Sequence, residues 1–219
     1  MGGVLENLHR RVADADQARV GFLVDRLRDD ADRVGEVDHP RARREAGGAF
    51  GDARLYAGPH AVVAHPPCER WGKYAAGGPS APRTRTPGEE GGCFATALAS
   101  VRRWGGVLEH PAGSLAWRAH GLVHPPIDGG WVSAGDMRGW TARVEQGHYG
   151  HQAAKATWLY ACDAELPPLP VGPSPLTWRD DPTKSARWKA RAERDGVCVL
   201  LSPKQRAATP PAFRELLLA

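Results

Sequence analysis

The stretch Phe94-Ala95-Thr96-Ala97-Leu98-Ala99-Ser100-Val101-Arg102-Arg103-Trp104-Gly105-Gly106-Val107-Leu108-Glu109 decides the fold. Phe94, Ala97, Leu98 and Val101 fall three and four residues apart, which puts them on one face of a short helix. Gly105-Gly106 ends that helix, and Val107-Leu108-Glu109 begins a strand at once, closed by His110-Pro111. Toward the N-terminus lies a loop rich in Gly and Pro, Gly77 to Gly92, and before it the run His60 to Ala64, which reads as a buried strand. Strand, loop, helix and strand in that order form a βαβ unit, whose two strands must run parallel. The expected fold class is α/β, a Rossmann-like and mostly parallel sheet with flanking helices. Further strands are expected at Ala142 to Glu145, Ala156 to Ala161 and Val197 to Leu201, with a helix near Thr183 to Arg194.

Residues Val4 to Arg33 carry Val4, Leu5, Leu8, Val12, Val20, Leu23, Val24 and Leu27 at helical spacing, a pattern for one or two amphipathic helices. Pro40 and Gly47-Gly48 break it, and Arg41, Arg43 and Arg44 form a solvated basic cluster. The expected organisation is an N-terminal helical segment over 1–50 and a catalytic domain over 51–219, a length suited to one core.

Twenty-nine Lys and Arg face 25 Asp and Glu, so the net charge of +4 describes a mixed surface that permits nucleic acid as a partner without requiring it. Cys68, Cys93, Cys162 and Cys198 are widely spaced, with no CxxC pair, which argues against a zinc ribbon or a disulfide scaffold and for a reducing cytoplasm. No apolar run approaches the roughly 20 residues of a membrane span, so a soluble cytoplasmic protein without a membrane partner is expected.

Cys68 ends the run Ala61-Val62-Val63-Ala64-His65-Pro66-Pro67-Cys68 and is followed by Glu69-Arg70-Trp71-Gly72. A thiol at the rim of a sheet, where α/β folds carry their chemistry, suits a nucleophile. Two further stations follow, Val107-Leu108-Glu109-His110-Pro111 and Tyr149-Gly150-His151-Gln152-Ala153-Ala154-Lys155-Ala156-Thr157. Their order and rough spacing resemble the cytosine-C5 DNA methyltransferases, more closely a compact phage-encoded branch with AHPPCERWG, GGVLEHP and YGH..KATWLYA stretches. The resemblance spans about residues 60 to 162, with a weaker echo at the C-terminus.

What it implies is a transferase modifying C5 of a pyrimidine in DNA or a nucleotide. Cys68 would be the thiolate that adds to C6, turning the ring into an enamine. Glu109 would stabilise the charge developing at N3 and the exocyclic group, and Lys155, with Arg70 as a second cation, would polarise the O2 edge and favour the thiolate. His65, Pro67, Trp71, His110, Tyr149 and His151 would line the base pocket, and Arg83 and Arg85 in the mobile loop would hold phosphates. The donor would be S-adenosylmethionine or a relative, with Arg206 and Thr209 near its pocket. No Phe-x-Gly-x-Gly turn precedes His60, and the stretch Asp163 to Gly196 is too short for the usual target-recognition domain. The expected substrate is therefore single-stranded or loosely specific DNA, or a pyrimidine nucleotide.

Two other classes fit the same residues. One is a non-catalytic nucleic-acid-binding derivative that uses Arg83, Arg85 and the basic residues 41–44. The other is a metal-dependent hydrolase or lyase using His65, Cys68, His148 and His151, which form two pairs with ligand-like spacing. A Pro-Pro-Cys alone is a common pattern, and most of the eight Trp are expected to be core.

Overall fold

The computed structural model describes residues 53–72, 75–76 and 86–219. The helices expected over 4–33, the basic cluster at 41–44 and the loop residues Arg83 and Arg85 lie outside the described residues. Five strands form one mixed sheet: β1 (Val62–Ala64), β2 (Gly106–Pro111), β3 (Val132–Ser133), β4 (Trp140–Glu145) and β5 (Ala156–Cys162), in the order β1-β2-β5-β4-β3. The architecture is broadly α/β, but the expectation of a mostly parallel sheet is corrected. β1 and β2 are parallel, whereas β2 with β5, β5 with β4 and β4 with β3 are all antiparallel.

The reason lies in the connections. Only between β1 and β2 does a full helix, α1 (Cys93–Trp104), carry the chain back across the sheet. A parallel pair needs such a crossover, and the later strands are joined without one. α2 (Leu115–Ala119) is a single capped turn, with Ser114 Oγ accepting from the Ala116 N–H at 3.1 Å.

Alternation along the strands makes two cores. Val62, Ala64, Leu108, Trp158, Tyr160 and Cys162 face α1, where Phe94, Ala97, Leu98 and Val101 meet them together with Trp117 of α2. Val63, Val107, Ala142, Val144, Leu159 and Ala161 face the other way, onto Phe213, Leu217 and Leu218 of the C-terminal helix α6 (Pro211–Leu218). That helix starts at Pro211, a proline that its first turn accommodates. A buried pair pins the sheet centre: Trp117 Nε1 donates to Thr141 Oγ1 at 3.1 Å, and that hydroxyl donates to the Leu159 carbonyl at 2.9 Å.

The tip of the β3–β4 hairpin is held by Asp136. Its carboxylate accepts from Arg102 Nε at 2.8 Å, from the Tyr160 hydroxyl at 2.7 Å and from the Gly139 N–H at 2.8 Å. Against the cost of burial, these donors hold the carboxyl down to about 2.

A third cluster, Trp178, Ala192, Val197 and Leu201, joins α3 (Ala186–Asp195), α4 (Val197–Leu200) and the loop residue Ala153. The strand expected over Val197 to Leu201 is corrected to a helical turn. Val197 and Leu201, four residues apart, are buried, while Val199 between them is 60% exposed, which is helical rather than alternating burial. α5 (Pro203–Ala207) follows under a capping box of Ser202 and Gln205.

Gly106 shows why two glycines end α1. With φ at +115°, its backbone lies so close to β1 that a Cβ would stand 2.0 Å from the Val62 carbonyl oxygen. Gly106→Ala should destabilise the fold by about 3 kcal/mol, because backbone that cannot swing aside must separate β1 from β2. A urea titration checks it, and an unchanged midpoint would refute this account of the α1–β2 junction.

Candidate active site

β1 and β2 run side by side with Ala64 opposite Leu108, so the next residues, His65 just past β1 and Glu109 still within β2, are neighbours. His65 Nδ1 donates to Glu109 Oε2 at 2.7 Å, the direction a carboxylate requires since it only accepts. Both side chains are nearly closed to solvent, at 13% and 12% exposed. The other carboxylate oxygen, Oε1, accepts from Gln146 Nε2 at 3.2 Å. Burial pushes the Glu109 carboxyl up, but the His65 hydrogen bond and the positive potential of His65, Lys155 and His110 outweigh it and hold the group below its ordinary value.

Pro66 and Pro67 carry the chain over the end of β1 without offering an N–H, and Cys68 follows in a turn closed by the Trp71 N–H on the Cys68 carbonyl at 3.0 Å. Cys68 is a free and exposed cysteine. Desolvation of its sulfur is the first cause that pushes its thiol above the ordinary value. The Glu109 charge is the next, the Glu69 charge adds to it, and Lys155 acts in the opposite direction. The thiol, the carboxylate and the ammonium therefore share one electrostatic site. At rest the thiol is protonated and the carboxylate ionised.

Lys155 enters β5 with φ at +46°, an uncommon conformation for a side-chain-bearing residue. Its Nζ donates to the Ala207 carbonyl at 3.0 Å and the Ala208 carbonyl at 2.8 Å, at the end of α5. Two of its three N–H groups are thus engaged, and cations at a helix C-terminus are favourable. Burial pulls the ammonium below its ordinary value, while Glu109 and Cys68 pull it back up.

The other expected residues separate into two groups. Pro67 leads directly into the Cys68 turn and is half-buried. Arg70 is half-buried as well, with Nη1 buried and no acceptor meeting it. Tyr149 packs its ring on Phe213, 5.3 Å between centroids, as part of the α6-side core.

Three of the expected substrate-binding side chains are packed or hydrogen-bonded within the protein. Trp71 is 8% exposed and belongs to the α1-side core, its ring 5.9 Å from Phe94 and 5.8 Å from His120. His110 is fully buried on that same side, edge-on to Phe94 at 5.3 Å, so β2 points it away from the face that carries Glu109. Neither His110 nitrogen makes a hydrogen bond of ordinary geometry. Burial drives its imidazole down to about 4 despite the Glu109 charge and the nearby Pro66 and Pro67 carbonyls. His151 is spent on backbone: Nδ1 accepts from the Ala153 N–H at 3.0 Å, and Nε2 donates to the Gln205 carbonyl at 3.1 Å.

The histidines His148 and His151 of the metal-dependent alternative are engaged by backbone. His148 Nε2 lies on the Gly172 carbonyl at 3.1 Å, His151 is occupied as described, and no three His, Cys, Asp or Glu side chains gather as ligands among the described residues. Nor do the described residues fit S-adenosylmethionine. No Gly-x-Gly turn follows a strand, Arg206 is exposed on α5, and Thr209 is half-buried in the α5–α6 link with no side-chain hydrogen bond to suggest a shared pocket. Among the described residues no helix is long and apolar enough to cross a membrane.

Gln146 and the Thr157 hydroxyl are site residues the sequence did not single out. Gln146 is the first residue after β4, where an amide in a polar turn carries no signal of its own. The one usable clue is register: with Glu145 opposite Ala156, the next pair outward is Gln146 and Lys155, beside Thr157. Compared with family models, with curated proteins and with solved structures, the chain matches none.

Proposed function

We propose that this chain is a base-modifying transferase that acts on C5 of a pyrimidine, in DNA or in a nucleotide, through a covalent Cys68 adduct at C6. The observation that carries the reading is the grouping of an exposed thiol shortly after β1, a carboxylate bound on both oxygens within the parallel neighbour β2, and a half-buried ammonium just before the antiparallel β5. A Rossmann-like core and a cytoplasmic location are parts of the same proposal.

In the first step the S–C6 bond forms as the Cys68 thiol gives its proton to the ionised Glu109 carboxylate, and the C5=C6 electron pair moves into the ring toward N3 and O2. Glu109, still held by His65 Nδ1, passes that proton to N3, while the Lys155 charge steadies the O2 edge. C5 is then an enamine carbon that takes an electrophile. Loss of the C5 proton and departure of the thiolate restore the aromatic ring, and N3 returns its proton. Water can supply the electrophile as a proton, so exchange of the C5 hydrogen requires no donor.

That exchange is the test. The full chain, given C5-tritiated pyrimidine in a single-stranded oligonucleotide or a nucleotide, should release tritium to water, and Cys68→Ser should lower the release about a thousandfold or more. No release from any pyrimidine, with no adduct to a 5-fluoropyrimidine substrate, would overturn the proposal. The non-catalytic alternative rests on basic residues outside the described part of the chain, and nothing in the geometry favours it.

A further inference from the structure

We propose that Gln146 is a positioning residue for Glu109: its side-chain N–H fixes Oε1 while His65 fixes Oε2, so the carboxylate plane is set from both sides before a substrate arrives. The inference rests on reading Glu109 as the group that meets the pyrimidine. It goes beyond that reading by giving a role to a side chain with no counterpart among the three sequence stations.

The orientation of the amide follows from its neighbours. Thr157 Oγ1 donates to the Lys155 carbonyl at 3.1 Å, so its proton is committed and the oxygen can only accept from Gln146. Gln146 Nε2 lies 3.0 Å from that hydroxyl and 3.2 Å from Glu109 Oε1. Turned over, the amide would set its oxygen against two acceptors, so the nitrogen faces both and its two N–H groups are both used. The backbone of Gln146 is held as well. Its N–H donates to the Lys155 carbonyl at 3.2 Å, and its carbonyl accepts from the His151 N–H at 3.2 Å.

This arrangement carries a cost. Gln146 is fully buried and its Oε1 meets no donor among the described residues, a defect of about 1–3 kcal/mol that a fold built for stability alone avoids. An apolar side chain would fill the place without that cost, but it would leave Glu109 Oε1 unheld. Local rules broken without a packing gain are expected at functional sites.

The test reads the Glu109 charge through Cys68, independently of turnover. In the full chain carrying Cys198→Ser, which removes the other exposed thiol, the rate of reaction with 2,2′-dipyridyl disulfide is followed from pH 3.5 to 9. Protonating Glu109 removes a negative charge that holds the thiol up, so the profile carries a shoulder where Glu109 titrates. The titratable and charged groups facing Glu109 are His65 after β1, Cys68 itself and Lys155 just before β5, while its neighbour His110 on β2 acts on it from the opposite face. Glu109→Gln identifies the shoulder by abolishing it while keeping the others. Gln146→Met should move the shoulder up by about one pH unit, since a donor to the ionised form is lost. The same substitution in the Glu109→Gln background should change nothing.

A shoulder that stays in place in a folded Gln146→Met, or an equal effect without the Glu109 charge, would overturn the proposal. Should Gln146→Met not fold, Thr157→Val, which removes the acceptor that orients the amide, is expected to move the shoulder the same way by less, and an unmoved shoulder there counts equally against it. If the shoulder moves but tritium exchange is absent from the parent protein, the positioning role stands and the transferase reading alone falls.

Discussion

Glu109→Gln should cut tritium exchange by about a hundredfold to a thousandfold while making Cys68 more reactive toward simple alkylating agents at neutral pH. The two effects have opposite signs because the carboxylate does two things. With substrate bound it passes a proton to N3 and stabilises the ring, and its amide replacement holds no proton to pass. Without substrate its negative charge stands near the sulfur and, after desolvation, is the largest cause that raises the thiol. Removing it lowers the thiol toward the ordinary value, so a larger fraction is thiolate at neutral pH, and iodoacetamide labelling should quicken several-fold. In the parent protein that labelling should keep accelerating as pH climbs beyond the range in which a free thiol levels off. Lys155→Met should slow it, because the ammonium is the charge that favours the thiolate. Slower labelling in Glu109→Gln would show that the carboxylate and the sulfur do not share a site.

The second large effect concerns stability. His110 is fully buried, and its imidazole is driven from 6.5 to about 4 in the folded chain. Between those two values the unfolded chain binds a proton that the folded chain refuses. The stability owed to the neutral ring is therefore complete above pH 6.5 and is lost as pH falls toward 4. The depression corresponds to about 3 kcal/mol, a substantial share of a typical domain's stability. His110→Leu, which keeps an apolar ring-sized group between Phe94 and Trp117, should flatten the dependence over that window and melt higher than the parent at pH 5. The loss below pH 4 should persist in the variant, because Asp136 is held down to about 2 and must be protonated there. Thermal melts of both proteins at half-unit steps from pH 4 to 7 measure it, and equal slopes would contradict the account.

Local signals in the sequence were sufficient for several elements. Apolar spacing placed the helix at Phe94 to Trp104, and the twin prolines after Ala64 ended β1, as they must where no N–H is left to extend the ladder. Short alternating runs placed β4 and β5. The same signals misjudged Val197 to Leu201, where β-branched and aliphatic residues suggested a strand but a buried neighbour cluster at Trp178 and Ala192 rewarded a helical turn. In the site, Cys68, Glu109 and Lys155 were singled out through the resemblance carried by the three stations, and the structure brings their charges to bear on one another. The burial of Trp71 and His110 was not legible, because an aromatic or imidazole ring beside a reactive residue looks the same in sequence whether it faces a pocket or a core.

By itself, then, the sequence determined the helix at Phe94 to Trp104 and the positions of β1, β2, β4 and β5, since capping, ring constraints and hydrophobic period act within a few residues. Strand direction and order were decided only by the tertiary structure, because pairing energy depends on partners some 50 residues apart in the chain, as in Val107 with Ala161. That pairing aims Glu109 and His110 to opposite faces, sets His65 against the carboxylate and brings Gln146 and Thr157 behind it. No residue in that group announces its partner locally, since each contact exists only once β1, β2, β5 and β4 lie in their final register.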